Sequence, residues 1–201
     1  MPKPSKAIEP GATLERLDHA LDPEQLAHLL VLHFPRAWRV ARRLGLGSAQ
    51  AEEAAQEAFI VMLQKIDRIE PGKELPYLLS AVAAISQNLR RKASFLREAT
   101  FDPQSLENAS DHDTSFELLA RKQARELVDS ILQRLSEPLR VVFVLYEFEQ
   151  LTLQEIAEAL DVPLGTAGSR LRLARQAFKK ELEHRNYCTA KSHEGKGKEG
   201  P

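Results

Sequence analysis

A helix-turn-helix pattern over residues 151–175 constrains the fold more than any other stretch of the sequence. Thr152 and Glu155 have the spacing of a capping box, in which each side chain accepts a hydrogen bond from the backbone N–H of the other residue. Asp161-Val-Pro163 then forms a tight turn, and a longer helix follows it. This order predicts a unit that commonly places its second helix in the major groove of DNA.

The second helix of this unit is basic on the side that faces away from its apolar residues. At about 100° per residue, the apolar side consists of Leu164, Ala167, Leu171, Ala174 and Phe178. Six Lys or Arg residues and two Glu residues lie between positions 164 and 185, although the whole chain has a formal net charge of -1. This local charge favours a nucleic-acid ligand, and a structural hairpin with a solvated basic side is the alternative.

Two helical blocks account for most of the chain. Asp22 as N-cap and Pro23 at the first helical position predict the start of the first block, and Pro35 is expected to kink or split its first helix. The predicted fold is all-α, with two small helical domains joined by a flexible linker. The predicted divisions are a loose N-terminus at 1–21, a domain at 22–98, a linker at 99–113, a domain at 114–186 and a disordered tail at 187–201.

Two further helices of the first block have distinctive outer faces. The helix at about 49–66 has a core stripe of Ala51, Ala54, Ala55, Ala58, Phe59, Met62, Leu63 and Ile66. Ile60 and Val61 lie among carboxylates on its other face, which favours a partner surface over a merely solvated charge run. The helix at about 75–97 ends in Arg90-Arg-Lys92, which suits phosphate binding but also suits the negative end of a helix dipole.

The composition argues against several other classes of protein. One cysteine in 201 residues and no apolar run near about 18 residues predict neither a disulfide scaffold nor a transmembrane helix. The first residues do not form a secretory signal, so a reducing, cytoplasmic setting is expected. The six histidines lack metal-ligand spacing, and no phosphate-binding glycine loop or nucleophile–base signature occurs. We therefore expect no enzymatic activity, no metal and no cofactor.

Six short stretches carry a resemblance to a known family. In the second block they are Leu135-Ser-Glu-Pro-Leu-Arg-Val-Val-Phe-Val-Leu145, Leu151-Thr-Leu-Gln-Glu-Ile-Ala157 and Val162-Pro-Leu-Gly-Thr-Ala-Gly-Ser-Arg-Leu171. In the first block they are Pro35-Arg-Ala-Trp-Arg-Val-Ala-Arg-Arg43, Ala51-Glu-Glu-Ala-Ala-Gln-Glu-Ala-Phe59 and Leu89-Arg-Arg-Lys92. Over about residues 24–185 the chain resembles a bacterial RNA polymerase sigma factor of the sigma-70 family, in its extracytoplasmic-function (ECF) group.

The resemblance implies three groups of binding residues. Reading of the promoter minus-35 element would involve Thr166, Ser169, Arg170, Arg172, Leu173, Arg175 and Gln176. Binding of the minus-10 element would involve Lys73, Tyr77, Ser80, Gln87, Asn88, Arg90, Arg91 and Lys92. Docking on polymerase would involve Glu52, Glu53, Gln56, Glu57, Ile60 and Gln64. In the second group Tyr77 would stack on an unpaired base, with an ordinary core position as the alternative, and the three terminal cations would hold phosphates.

The resemblance implies two partners, which are RNA polymerase core and promoter DNA. The chain would contact the core through the clamp helices of its large subunit and through its flap. No membrane insertion is expected. An anti-sigma factor as a further partner is left open. The linker resembles the family segment that runs towards the polymerase active-site channel, and an inert tether is the alternative.

The chain departs from the family pattern at two places. Ala81-Val-Ala-Ala84 replaces the usual Ile-Ala-Arg-Asn of the minus-10 helix, and Gly168 and Leu173 stand where basic or polar residues are common. Two alternative functions therefore stay open. One is a self-standing helix-turn-helix regulator that binds duplex DNA unaided, and the other is a divergent sigma-like interaction protein with weak promoter activity.

Overall fold

The computed structural model describes residues 23–99 and 116–194, and within those ranges every regular element is helical. The all-α prediction is therefore confirmed. The elements are α1 (Pro23–Arg43), α2 (Ser48–Leu63), a 3-10 turn (Ile66–Arg68), α3 (Glu74–Ala99), α4 (Phe116–Leu132), α5 (Glu137–Phe143), a π-helical turn (Val144–Phe148), α6 (Leu153–Ala159) and α7 (Leu164–Glu194). The predictions for Asp22, for residues 1–21 and for the linker after Ala99 lie outside the described residues.

The first domain consists of α1, α2 and α3, and α2 contacts both of the other helices. The buried side of α2 is Ala51, Ala54, Ala55, Ala58, Phe59, Met62 and Leu63, which confirms the predicted stripe up to the end of the helix. Alanines on this side let the helix axes approach closely, and the larger residues fill the space at the far end. The acidic side of α2 is consequently turned to solvent.

The helix α1 is continuous through Pro35, so of the predicted kink or split the split does not occur. A proline inside a helix removes one backbone hydrogen bond and crowds the preceding turn. Ala37, Val40 and Ala41, which are all fully buried, hold the second half of α1 against its neighbours. Tertiary packing therefore outweighs the local cost, as it does for most helices in proteins.

The second domain is built around α5 and α7. The ring of Phe143 stacks on that of Phe178, with centroids 4.9 Å apart and an interplanar angle of 17°. Ala167, Leu171 and Ala174 are buried along α7, as predicted for its apolar side. This packing fixes which side of α7 is left exposed.

Two predictions about α7 are wrong. Leu164 is 50% exposed because, as the first residue of the helix, it borders an open groove beside the turn rather than the core. The helix also continues to Glu194, so residues 187–194 of the tail that was predicted to be disordered are helical, and residues 195–201 of that prediction lie outside the described residues. No glycine or proline occurs between Gly168 and Gly195, so no helix-breaking residue stops it earlier.

The predicted capping box is present at the start of α6. The hydroxyl oxygen of Thr152 accepts a hydrogen bond from the backbone N–H of Glu155 at 3.2 Å, and the Glu155 carboxylate accepts one from the Thr152 N–H at 2.8 Å. The hydrogen bond from the Thr152 backbone is the main reason that the pKa of Glu155 lies below its usual value.

Removing this cap should destabilise the protein. Thr152→Ala should lower the free energy of unfolding by about 1 kcal/mol, since the first turn of α6 loses a hydrogen-bond acceptor. The depressed pKa means that the Glu155 carboxylate stabilises the fold above its unfolded pKa, and that this contribution disappears as the pH falls through the folded pKa. Glu155→Gln should therefore be less stable than the wild type at neutral pH but nearly equal to it in acid.

Denaturant titration at neutral and acidic pH measures both effects. Gln154→Ala serves as the control, because it removes an exposed side chain from the same helix without touching the cap. A stability difference between Glu155→Gln and the wild type that stays constant with pH would contradict the assignment.

The two domains pack against each other. The helix α3 contacts α6, and α1 contacts the π-helical turn. The buried apolar residues of both domains form one cluster. Two domains on a flexible linker were predicted, and no pattern in the sequence indicated that they would touch.

Candidate nucleic-acid interface

The exposed side of α7 carries a row of residues suited to reading DNA. Ser169, Arg172, Leu173 and Gln176 are exposed there, and Leu173 is 43% exposed. The Arg172 guanidinium lies 3.5 Å from the Gln176 amide oxygen, so only a long contact has to be broken for it to reach a ligand. Guanidinium and carboxamide groups are the side chains that bind purine edges in the major groove through two hydrogen bonds.

Two other predicted minus-35 residues are less accessible. Thr166 and Arg170 are only partly exposed, and the Thr166 carbonyl accepts a hydrogen bond from the Ser169 hydroxyl at 3.0 Å. They flank the exposed row of α7 rather than belong to it. We therefore expect these two residues to contribute less to base reading than the exposed row does.

Arg175 is held by the π-helical turn. Its Nε atom donates a hydrogen bond to the Glu147 carboxylate at 2.7 Å, and its guanidinium lies 5.0 Å from the centroid of the Tyr146 ring. The hydrogen bond to Glu147 is the main reason that the pKa of Arg175 lies above its usual value. A phosphate that binds Arg175 would therefore compete with a carboxylate already in place.

Gly168 lies on α7 with open space beside it, because apart from its chain neighbours and the nearby backbone of its own helix no atom lies within 4 Å of the position a Cβ would occupy. Glycine is about 1 kcal/mol less favourable than alanine inside a helix. Gly168→Ala should therefore raise the free energy of unfolding by about 0.5–1 kcal/mol. Thermal and denaturant unfolding would measure the gain, and a loss of stability would show that a contact absent from this structure depends on the glycine.

The outer side of α3 brings together part of the predicted minus-10 group. Tyr77 is half-buried, with the Lys65 ammonium 5.7 Å from its ring centroid, and the Ser80 hydroxyl donates to the Tyr77 carbonyl at 2.7 Å. Farther along the same helix Asn88, Arg91 and Lys92 are at least partly exposed. The exposed members run along one side of α3 towards the cations.

Three other members of that group contact the second domain instead. The Lys73 ammonium lies 3.6 Å from the Glu158 carboxylate, and Gln87 donates to the Glu137 carboxylate at 3.3 Å. Arg90 donates to the Leu44 carbonyl oxygen and to the Gln133 side-chain oxygen. Sequence patterns did not indicate these contacts with the second domain, because each joins residues far apart in the chain.

The predicted polymerase-binding residues share one exposed face of α2. Glu52, Glu53, Gln56, Glu57, Ile60 and Gln64 are all exposed. Ile60 is 48% exposed, although isoleucine is among the residues most often buried in proteins, and its neighbours on this face include carboxylates. This face, which we call the acidic face of α2, combines steering charge with an apolar centre.

An apolar surface on α1 adjoins the acidic face of α2 and was missed in the sequence. Val31 is 78% exposed and Leu32 is 51% exposed. Phe34 and Trp38 line a cleft that Glu52 of α2 closes on one side. The signal available in the sequence was the run Leu29-Leu-Val-Leu32, which is apolar on all sides of a surface helix.

Residues 23–99 and 116–194 were searched for a cluster of metal ligands and for a membrane-spanning helix. No group of three His, Cys, Asp or Glu side chains in these ranges is placed to hold a metal ion. The pKa of His33 is lowered, mainly by burial and then by the nearby Arg36 charge. No helix of the described chain is both long enough and apolar enough to cross a bilayer.

Comparison with known proteins agrees with this geometry. Residues 29–95 match the family "Sigma-70 region 2", and residues 125–178 match "Sigma-70, region 4". Together the two matches cover more than half of the chain. The chain therefore belongs to the sigma-70 family of RNA polymerase sigma factors. Its curated relatives place it in the ECF group.

Three of these relatives are named ECF sigma factors. SigE of Mycolicibacterium smegmatis is 26% identical over 161 residues, a match that covers 80% of this chain and 62% of that protein. SigW of Bacillus subtilis is 23% identical over 169 residues, covering 80% of this chain and 90% of that protein. The sigma-E factor of Escherichia coli is 24% identical over 144 residues, covering 68% and 75%.

Two solved structures share the fold. The sigma factor RpoE in complex with the anti-sigma factor NepR from Bartonella quintana has a TM-score of 0.63 and 20% identity, and the match covers 80% of this chain and 98% of that one. CnrH in complex with the cytosolic domain of CnrY has a TM-score of 0.61 and 17% identity, covering 86% and 95%. Both structures are complexes with a second protein.

Proposed function

We propose that this chain binds RNA polymerase core through the acidic face of α2 and directs initiation at promoters that it reads through α3 and α7. The α3 side would bind the minus-10 element, and the exposed row of α7 would read the minus-35 element. The apolar surface of α1 lies beside the polymerase-binding face and would extend it.

The observation that carries this proposal is the pairing of two unlike surfaces in one chain. The exposed row Ser169, Arg172, Leu173 and Gln176 lies on the second helix of a helix-turn-helix, where base reading occurs in that motif. The acidic face of α2, centred on the exposed Ile60, has no use in a protein that only binds DNA, since like charges repel the phosphate backbone. A sigma factor uses both surfaces, because it binds polymerase through one and promoter DNA through the other.

Co-purification with polymerase core tests this pairing directly. A sigma factor should be retained by core enzyme and should bind specific duplex DNA tightly only in its presence. Tight, sequence-specific duplex binding by the isolated chain, without retention by core, would support the self-standing regulator instead. Anti-sigma binding is expected from the named partner of RpoE from Bartonella quintana, and a complex with a NepR-like protein would extend the proposal.

The cations at the end of the exposed side of α3 should bind phosphates rather than read bases. Arg91→Ala combined with Lys92→Ala should weaken promoter complexes of all sequences to a similar degree, because backbone contacts carry no sequence information. The salt dependence of binding should flatten by about 0.7–0.9 units of slope for each phosphate that the variant no longer binds.

Filter binding of the holoenzyme over a salt series would measure this slope. Lys179→Ala removes a cation of α7 outside the exposed row and serves as the control. Arg90 is left out of the variant because its guanidinium donates hydrogen bonds to the Leu44 carbonyl and the Gln133 side chain, so its loss would also remove contacts within the protein. A loss that differs strongly between promoter sequences would show that Arg91 or Lys92 reads bases.

A further inference from the structure

The apolar surface of α1 runs along the solvent side of that helix. At about 100° per residue, Ala27, Val31, Pro35 and Trp38 fall within about 80° of one another. Val40 points the opposite way and is fully buried. The surface from Ala27 to Trp38 is therefore about 17 Å long at about 1.5 Å per residue, and it faces away from the core of the first domain.

This surface holds much of the exposed apolar area of the described residues. Val31 is 78% exposed, and its neighbours Leu30 and Leu32 are 37% and 51% exposed. They are three of the six large hydrophobic residues that are exposed in residues 23–99 and 116–194, and they are consecutive in the chain. A continuous exposed apolar patch commonly marks a contact with another molecule.

The surface combines a projection with a recess. Val31 projects furthest into solvent, and the cleft lined by Phe34, Pro35 and Trp38 lies about one to two helical turns after it. The cleft has a volume of about 480 Å³, which is within the range of pockets that accept a ligand. If two copies of α1 pack side by side in opposite directions, Val31 of each copy lies opposite Pro35 of the other and enters its cleft. Such mutual fit is what a two-fold symmetric interface requires.

The charges at the two ends of the surface have opposite signs. Glu24 lies nine residues before position 33, Arg42 lies nine residues after it, and both fall on the same side of α1 as Val31. The Arg42 guanidinium lies 5.9 Å from the centroid of the Trp38 ring, so its charge stands at the end of the apolar surface. Antiparallel packing about position 33 brings Glu24 of each copy to Arg42 of the other. Parallel packing would instead place like charges opposite each other, which is unfavourable.

We propose that the apolar surface of α1 binds a second copy of this chain, so that the free protein forms an antiparallel dimer about a two-fold axis near position 33. Val31 and the cleft form the centre of the interface, and Glu24 and Arg42 fix the direction of the two helices. One helix face per copy is smaller than the interface of a permanent dimer, which buries about 2,000 Å² or more. The dimer therefore forms reversibly, with a dissociation constant in the micromolar range.

The dimer and the polymerase complex exclude each other. Glu52 of α2 closes one side of the cleft, and it also belongs to the acidic face of α2. A second copy seated in the cleft therefore obstructs the edge of the polymerase-binding face. This exclusion rests on the proposed function of the acidic face, whereas the dimer itself does not.

Analytical ultracentrifugation of the full chain tests whether the dimer exists. Between about 1 and 200 µM the average mass should rise from that of a 22.6 kDa monomer towards twice that value. Val31→Asp should weaken association by about 10-fold or more, because it places a charge at the centre of the interface. Val31 is largely exposed in the monomer, so this variant should fold normally.

Leu164→Asp is the matched control. Leu164 is also exposed, at 50%, but it lies on α7 of the second domain, so this variant should associate as the wild type does. A wild type that stays monomeric over the whole range would overturn the proposal. A dimer that Val31→Asp does not weaken, or that both variants weaken equally, would also overturn it.

The salt dependence of association tests the direction of the helices. Between about 50 and 300 mM salt the wild-type dimer should weaken as salt rises, because the facing charges at its ends attract and salt screens them. Glu24→Lys places like charges opposite each other, so this variant should associate less tightly and should gain affinity as salt rises. A wild-type dimer that gains affinity with salt over this range would overturn the antiparallel arrangement.

The mass of complexes with polymerase core tests the exclusion. At a concentration where the free chain is mostly dimeric, each core enzyme should bind one copy only. Two copies on one core enzyme would overturn the exclusion. A chain that dimerises but is not retained by core would contradict the proposed function and leave the dimer standing. A chain that is retained by core but never dimerises would overturn the dimer and leave the proposed function standing.

Discussion

Replacing Ile60 with Asp and Glu57 with Lys together should abolish association with RNA polymerase core. Ile60 is the apolar centre of the acidic face of α2, and Glu57 lies one turn before it. Loss of a residue that anchors the centre of a protein interface costs about 2 kcal/mol or more, and its replacement by a charge adds the cost of burying that charge. Reversal of the Glu57 charge removes the attraction that steers the two proteins together.

The fold should survive this double change. Both side chains lie outside the buried stripe of α2, so helical content and unfolding temperature should stay close to those of the wild type. Surface plasmon resonance on immobilised core enzyme measures the loss, and Glu183→Lys on α7 is the control for a change of surface charge. Retained association of a folded double variant would show that this face is only solvated.

Replacing Arg172 with Ala should relax the preference for one or two positions of the minus-35 element and cost about 1–3 kcal/mol at those positions. Arg172 is exposed on α7 and has only a 3.5 Å contact with Gln176 to give up. Of the polar side chains in the exposed row, only its guanidinium can bind a guanine edge through two hydrogen bonds. Leu173 beside it is positioned to touch a thymine methyl group.

Arg175 provides the matched comparison on the same helix. Its guanidinium is bound to Glu147, at the flank of the reading side, so Arg175→Ala should lower promoter binding modestly and without a change in base preference. A promoter library read with both variants measures the two effects. If Arg175→Ala shifts base preference and Arg172→Ala does not, the assigned rotation of α7 on DNA is wrong.

Local patterns predicted much of the fold because their physical causes are local. The Thr152–Glu155 capping box involves residues three positions apart, and both of its hydrogen bonds are present. The stripe of α2 follows from helical periodicity and is buried as predicted up to Leu63. The unbroken helix at Pro35 and the wrong prediction for Leu164 have the opposite origin. Contacts with other helices keep α1 intact, and their absence leaves the first residue of α7 exposed.

The contacts between the domains were not predictable from the sequence. Arg36 and Glu149 are 113 positions apart, and Arg140 and Leu44 are 96 positions apart. Periodicity and capping describe single elements, so they give no indication of such pairs. The same limit applies to the candidate site. The exposure of Arg172 followed from the helix rotation, whereas the binding of Arg90 and Arg175 by other parts of the chain did not.

Transcription in vitro with purified polymerase core tests the central claim most directly. Core enzyme alone should give no specific transcript from a genomic promoter library, and addition of this protein should give defined start sites with shared sequences upstream. The Ile60→Asp, Glu57→Lys double variant should abolish those transcripts, and Arg172→Ala should alter which promoters are used. Retention by core enzyme without any specific transcript would contradict the account.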